Sequence, residues 1–266
     1  MSEYISTTIR DGVATVVLNR PEVLNALNPD MAQTLKETTG TLAADSEVRC
    51  VVITGAGEHF MAGGDVRHFH KLLRESPRDV SDTIGAEIED VHAAITSIHN
   101  MPKPVIASIR GASAGFGMSL VAACDLAIAA EDSVFSLAYC RIGTSPDGGS
   151  TWALPRMVGL KRAMELALLG DRITPQLASD YGLINWVVPS AELDERTAEL
   201  AARLAAGPVA ALSRTKALLN ESLGTELEEQ LVSEKSSFIA GVAGPEFAEG
   251  VSAFVEKRAA HFPLKV

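Results

Sequence analysis

The sequence predicts an α/β chain whose strands pair largely in parallel, followed by a helical C-terminal region. Three observations predict it. Strand-length apolar runs alternate with helix-length stretches as far as about residue 190, the pattern of successive strand–helix units. Glycine-rich turns stand where those runs end or just before a helix opens: HFMAGGD (His59–Asp65), GASAGFGMS (Gly111–Ser119) and SPDGGS (Ser145–Ser150). From about Ala191 the strands stop, and alanine-rich, leucine-spaced segments continue, separated at Gly207-Pro208 and Gly244-Pro245. The expected division is a core over residues 1–190 and a helical region over 191–266, which reads as an oligomerising or lid-forming extension.

The elements can be justified in order. Tyr4–Ile9 and Val13–Leu18 are β-rich runs flanking Asp11-Gly12, a favoured tight-turn pair, and predict a hairpin. A helix is expected over Pro29–Ala44, with Asn28 as N-cap and Pro29 at the first helical position. CVVITG (Cys50–Gly55) is a strand that leads through a glycine-rich loop into a charged stretch. Ser76–Asp82 reads as a mobile surface loop, and a helix runs near Val80–His99. Lys103-Pro104 introduces the apolar strand PVIASI, and the second glycine turn leads into a helix at Met118–Cys124. Short strands are expected at Asp125–Ala130 and Val134–Leu137, and three or more helices after residue 191.

Composition narrows the functional classes. Hydrophobic residues make up 47% and charged residues 21%, ordinary for a chain that buries a real core. A net charge of −11 argues against nucleic acid, which wants a basic face. No apolar run approaches the roughly 18–20 residues needed to span a bilayer, and the first residues carry no secretion signal. Cys50, Cys124 and Cys140 are far apart and odd in number, so neither a disulfide framework nor a zinc site is expected. A cytoplasmic chain with no membrane or nucleic-acid partner is the expectation. His68 and His70 form H-x-H, but no third ligand is spaced to join them, so no metal is expected.

Glycine turns at strand ends let backbone N–H groups approach a ligand closely. The second turn opens a helix, so its N–H groups also gain from the helix dipole. Two such donors aimed at one point make an oxyanion hole, each typically worth about 2.7–4 kcal/mol of barrier. The alternative is that these are ordinary strand-to-helix connections. Gly111-Ala112-Ser113-Ala114-Gly115 also matches the G-x-S-x-G nucleophile elbow of α/β-hydrolases. That reading needs an acid and then a histidine downstream, and the only downstream histidine is His261, close to the C-terminus.

The pair HFMAGGD and GASAGFGMSL resembles the two signature turns of the enoyl-CoA hydratase/isomerase (crotonase) superfamily. The resemblance extends through LNRPEVLNALN, IGTSPDGGSTWALPRMVG, RAMELALLG, YGLINWVV and EGVSAFVEKR. It implies a right-handed spiral of strand–strand–helix (ββα) turns with a C-terminal helical trimerisation region, assembling as a homotrimer or a dimer of trimers. It implies an acyl-CoA substrate and no cofactor beyond the coenzyme A that the thioester carries. The donors carried over are the backbone N–H groups of Ala62 and Phe116, where relatives usually have Gly or Ala at the second position. Ala62, Gly63, Gly64, Asp65 and Val66, with Gly115, would flank the thioester. Val23 and Leu24 match the pantetheine and adenine contact. Phe254 and Lys257 match positions that reach CoA, often across a subunit boundary; for Lys257 a solvated helix end is the alternative.

Hydratases of this family use two glutamates, and the matching positions here are Ser119 and Tyr139. Neither supplies a carboxylate, so ordinary hydration is disfavoured. Asp147, beside Gly148 and Gly149 at the start of an expected helix, is the available base; a helix N-cap is its alternative role. By resemblance it matches the acid/base of the branch that isomerises 1,2-epoxyphenylacetyl-CoA and shifts enoyl-CoA double bonds. The expected activity is therefore an acyl-CoA isomerase with a single aspartate. One alternative is an aryl-CoA dehalogenase of the 4-halobenzoyl-CoA type, with Asp147 as nucleophile, an aromatic at Tyr139 and a histidine at His92. A further alternative is a relative that binds acyl-CoA without catalysis.

Overall fold

The computed structural model of the protein describes residues 4–262. The chain opens with the hairpin β1 (Ile5–Arg10) and β2 (Val13–Leu18), antiparallel with Arg10 opposite Val13. Asp11 and Gly12 both take positive φ (51° and 77°), the backbone that a two-residue hairpin turn requires. Helix α1 spans Pro29–Ala44, and the Asn28 side chain accepts the Met31 N–H at 3.0 Å. The cap satisfies one of the four N–H groups that a helix start leaves without partners.

Strands β3 (Cys50–Gly55), β4 (Val105–Ile109), β6 (Leu126–Ala130) and β8 (Trp186–Val188) extend the hairpin into a six-stranded sheet of order β1-β2-β3-β4-β6-β8. Every pair after the first is parallel. Parallel sheets need cover on both faces, and the side-chain alternation supplies it. Val51, Ile53, Val105, Ala107 and Ala129 face one core. Their neighbours Cys50, Val52, Ile106, Ile128 and Ala130 face a second, smaller core.

Between the sheet strands lie the second-layer pieces that make a spiral. After β3 the chain bridges at Met61 to Ser113; after β4 comes β5 (Ala112–Ala114); after β6 comes β7 (Val134–Ser136), parallel to β5. Each strand–strand step then enters a helix: α2 (Val66–Glu75) and α3 (Val80–Asn100), α4 (Phe116–Ala123), then α5 (Ser150–Val158) and α6 (Leu160–Leu169). The expected ββα spiral is thus present. Helix α2 lies in the stretch expected only to be charged, and the loop expected over Ser76–Asp82 reduces to the few residues between α2 and α3. Helix α7 (Pro175–Asp180) precedes β8.

The helical C-terminal region divides in two. Helix α8 (Leu193–Ala205) packs Leu193, Leu200, Ala201 and Ala205 onto the second face of the sheet, and Thr197 hydrogen-bonds to Ser108 of β4 at 2.9 Å. Helices α9 (Val209–Ser222), α10 (Leu227–Val242) and α11 (Pro245–Glu256) bury only Ala253 fully. Lys216 of α9 holds this tail to the core, donating to Asp125 at 2.8 Å and to the Ile98 carbonyl at 2.9 Å. The tail exposes Leu227, Val232, Phe238, Ile239, Phe254 and Val255. Among the described residues no single helix is long and apolar enough to cross a membrane; α10 and α11 reach that length and composition only as a pair bent by 78°.

Candidate active site

The two glycine turns touch. A Cβ on Gly117 would lie 2.3 Å from the Met61 carbonyl, so only glycine lets the start of α4 approach the first turn. A Cβ on Gly63 would lie 3.1 Å from the Ala114 carbonyl and 3.5 Å from the Phe116 nitrogen. Phe116 is the first residue of α4, where an N–H has no acceptor within its own helix. The Ala62 N–H is engaged differently: it donates to the Leu24 carbonyl at 3.0 Å. Leu24 and Asn25 sit at positive φ (56° each) after a short 3-10 turn at Pro21–Val23. Buried Asn25 fastens this segment, accepting the Arg20 N–H and donating to the Ala56 and His59 carbonyls at 3.0 and 2.7 Å.

A cavity of about 420 Å³ opens beside the turns, and Ala62, Gly63, Gly64, Gly115, Phe116 and Asp147 contribute to its wall. Val66 and Tyr139 line it as well. The third glycine turn delivers Asp147. Gly149, not Asp147, occupies the N-cap of α5, so the capping role weighed for Asp147 does not apply. Its carbonyl accepts the Ser150 N–H and hydroxyl, while its carboxylate receives the Tyr139 hydroxyl through Oδ1. The Ser119 hydroxyl lies 3.1 Å from the Asp147 carbonyl and 3.2 Å from the Tyr139 hydroxyl. Burial, and then the neighbouring Asp147 charge, push the Tyr139 phenol far above its ordinary value, so it stays protonated and donates. The Phe116 ring packs on this turn: a Cβ on Gly148 would come within 2.8 Å of it. A phenylalanine at this position is therefore matched by a glycine beside the carboxylate.

Several sequence-expected residues fall elsewhere. The Asp65 carboxylate is consumed structurally: it caps α2 through the Arg67 and His68 N–H groups and pairs with Arg20 at 3.0 Å. Burial opposes its charge, yet the hydrogen bonds from Arg20 and the two N–H groups hold its carboxyl below the ordinary value. His92 is exposed and outside the cavity. Val91 lines the cavity, and one further residue turns roughly 100° around the helix. Val23 and Leu24 do not line the cavity, although Leu24 touches the first turn through its carbonyl. Phe254 is 87% exposed on α11, and Lys257 is that helix's C-cap, so a single chain does not bring either to the cavity.

Ser113 of the G-x-S-x-G match is fully buried within β5, opposite Phe135, and cannot serve as an exposed nucleophile. The cysteines are free, two of them buried, and burial pushes the Cys50 thiol up to about 12. Among the described residues no group of three or more potential metal ligands converges. Sequence reasoning missed Arg20 and Asn25, which brace the first turn, and Glu87, which lines the cavity beside His68.

Comparison with known proteins gives the family and the fold. The chain is 35% identical over 266 residues to the 1,2-epoxyphenylacetyl-CoA isomerase of Escherichia coli K12, covering all of both chains. It is 33% identical over 258 residues to 4-chlorobenzoyl coenzyme A dehalogenase-2 of an Arthrobacter species, covering 96% of this chain and 91% of that one. The crystal structure of an enoyl-CoA hydratase from Polaromonas sp. JS666 superposes with a TM-score of 0.91 at 36% identity, over 97% of this chain and 99% of the other. The profile of the family described as enoyl-CoA hydratase/isomerase matches residues 8–265. Two abutting glycine turns, a spiral of strand–strand–helix steps and a full-length family match leave one conclusion: the chain belongs to the enoyl-CoA hydratase/isomerase family, with the crotonase fold.

Proposed function

We propose that this chain is an acyl-CoA isomerase in which Asp147 carries one proton out and back across a thioester enolate. The carrying observation is the cluster at the third turn. Ser119 and Tyr139, which stand where hydratases place glutamates, are neutral: Tyr139 donates to the Asp147 carboxylate and Ser119 to the Asp147 main-chain carbonyl. Hydration needs a positioned water as well as a base, whereas isomerisation is a round trip for one proton. In the proposed step the Asp147 carboxylate takes a proton from the carbon adjacent to the thioester carbonyl. The electrons of the broken C–H bond pass to the thioester oxygen, which the Phe116 and Ala62 N–H groups receive. Asp147 then returns the proton two carbons along, the carbonyl re-forms and the double bond has moved. Dehalogenation is less well supported, because His92, its matching histidine, lies outside the cavity.

Self-association belongs to the same reading. The apolar residues exposed on α9–α11 form a face of the kind that oligomers cover, and a trimer would bring Phe254 and Lys257 towards a neighbour's cavity. Light scattering on a Phe254→Asp variant tests this: a shift to monomer supports it, and an unchanged monomeric mass in both proteins refutes it.

The chemical test is exchange in heavy water with hex-3-enoyl-CoA, hex-2-enoyl-CoA and 4-chlorobenzoyl-CoA, comparing the parent with Asp147→Asn. Double-bond migration with washed-in deuterium, lost in the variant, is the expected result. Chloride release without exchange would replace the isomerase with a dehalogenase. Binding with neither reaction would leave a non-catalytic acyl-CoA binder.

A further inference from the structure

The cavity wall formed by α2 and α3 is apolar, with Val66, Phe69, Leu73, Ile84, Ile88 and Val91, except at one place. There His68 of α2 and Glu87 of α3 face each other, Nε2 to Oε1 at 2.8 Å, and both line the cavity. Their side chains keep only 24% and 19% exposure, so they are reachable from the cavity yet largely removed from solvent. Stability does not explain such a pair, since well-packed apolar residues would hold the two helices as well or better. An alkyl acyl group gains nothing from it either, because the pair must be desolvated against the chain. The second Glu87 oxygen and the second His68 ring nitrogen have no hydrogen-bond partner among the described residues. The second Glu87 oxygen thus offers an acceptor to one small polar group, while His68 holds the first.

We propose that His68 and Glu87 form a recognition site for a hydroxyl group carried by the acyl chain or ring of the substrate. The hydroxyl donates to the second Glu87 oxygen, and His68 fixes the carboxylate by bonding the first. A carboxylate is excluded, since Glu87 and Asp147 already make this cavity acidic. Sites built to hydrogen-bond a substrate hydroxyl discriminate far more strongly than apolar pockets do, because the analogue lacking it leaves buried polar groups unpaired. The inference rests on the acyl-CoA reading of the cavity and adds the substrate class to it.

The test is calorimetric titration of paired saturated thioesters that cannot react: butanoyl, hexanoyl and octanoyl-CoA against their ω-hydroxy forms, and phenylacetyl-CoA against 4-hydroxyphenylacetyl-CoA. The expected result is a preference of about 10-fold or more for the hydroxylated member of at least one pair. That preference should vanish in Glu87→Leu and weaken in both Glu87→Gln and His68→Phe, while affinity for the unhydroxylated partner holds or rises. Equal affinity within every pair, or a preference that survives Glu87→Leu, would overturn the recognition site alone. Failure of every thioester to bind would overturn the acyl-CoA reading and the recognition site with it.

Discussion

The two walls of the cavity are built on different principles. One wall is backbone: glycine turns at Gly63, Gly117 and Gly148, with N–H groups and a single carboxylate delivered by the third turn. The other is side chain: two helices, α2 and α3, that present an apolar stripe interrupted by His68 and Glu87. A backbone wall tolerates little change, since a methyl group on Gly117 would overlap the Met61 carbonyl. A side-chain wall can exchange residues at fixed helix positions. The comparison teaches that chemistry and substrate choice are separately encoded here, the first by where the chain may approach itself, the second by what it displays.

The sharpest break of that division is Asp147→Asn. Turnover should fall about 10²–10⁴-fold, as for loss of a general acid–base group, with acyl-CoA affinity kept within a few-fold. Steady-state kinetics beside calorimetry reads both. Gly117→Ala attacks the same wall through its packing and should lose about 1–3 kcal/mol in urea denaturation, the range for forced overpacking. A comparable substitution on the helix wall, Ile88→Val, should cost no more than about 0.5–1.5 kcal/mol. Tyr139→Phe removes the hydrogen bond that orients Asp147, so kcat should drop about 10-fold while KM stays nearly constant. A KM effect of equal size would mean the phenol binds substrate.

An effect as small as that of Ile88→Val sits where the walls join. Asp65 ends the first turn, caps α2 and pairs with Arg20. Its carboxyl is held below the ordinary value, so its contribution is fully present above the usual carboxylate range and is lost as pH falls through the lowered value. Asp65→Asn should cost about 1 kcal/mol at neutral pH and flatten the acid limb of a stability–pH curve. An unchanged acid limb would show that other carboxylates govern it.

The same division explains what could be read from the sequence. Asn28 capping α1, the Asp11-Gly12 hairpin and the strand Cys50–Gly55 each carry a local signal, and each stands where expected. The glycine turns were legible because a close approach leaves its mark in residue identity. Helix α2 was less so, since VRHFHKLLRE is short and rich in charge. Its signals were Asp65 as a cap and Val66, Phe69 and Leu73 at helical spacing. β5 and β7 are three residues each, too short to show a period. His68 and Glu87 are nineteen positions apart on different helices, and nothing in either segment announces the other. His92, on a helix where a core or surface histidine is the commoner meaning, is exposed one residue around from the cavity-lining Val91.

The hydrogen bond from the Ala62 N–H to the Leu24 carbonyl has a consequence for discrimination. A donor that already has an acceptor is not waiting to be filled, so a neutral thioester carbonyl gains little by competing for it. An oxygen that has become an anion accepts far more strongly, since charge-assisted hydrogen bonds are roughly twice as strong as neutral ones. In the proposed reaction Leu24 therefore acts as a threshold: it concedes the donor most readily when negative charge appears, so resting substrate is held loosely and the enolate tightly.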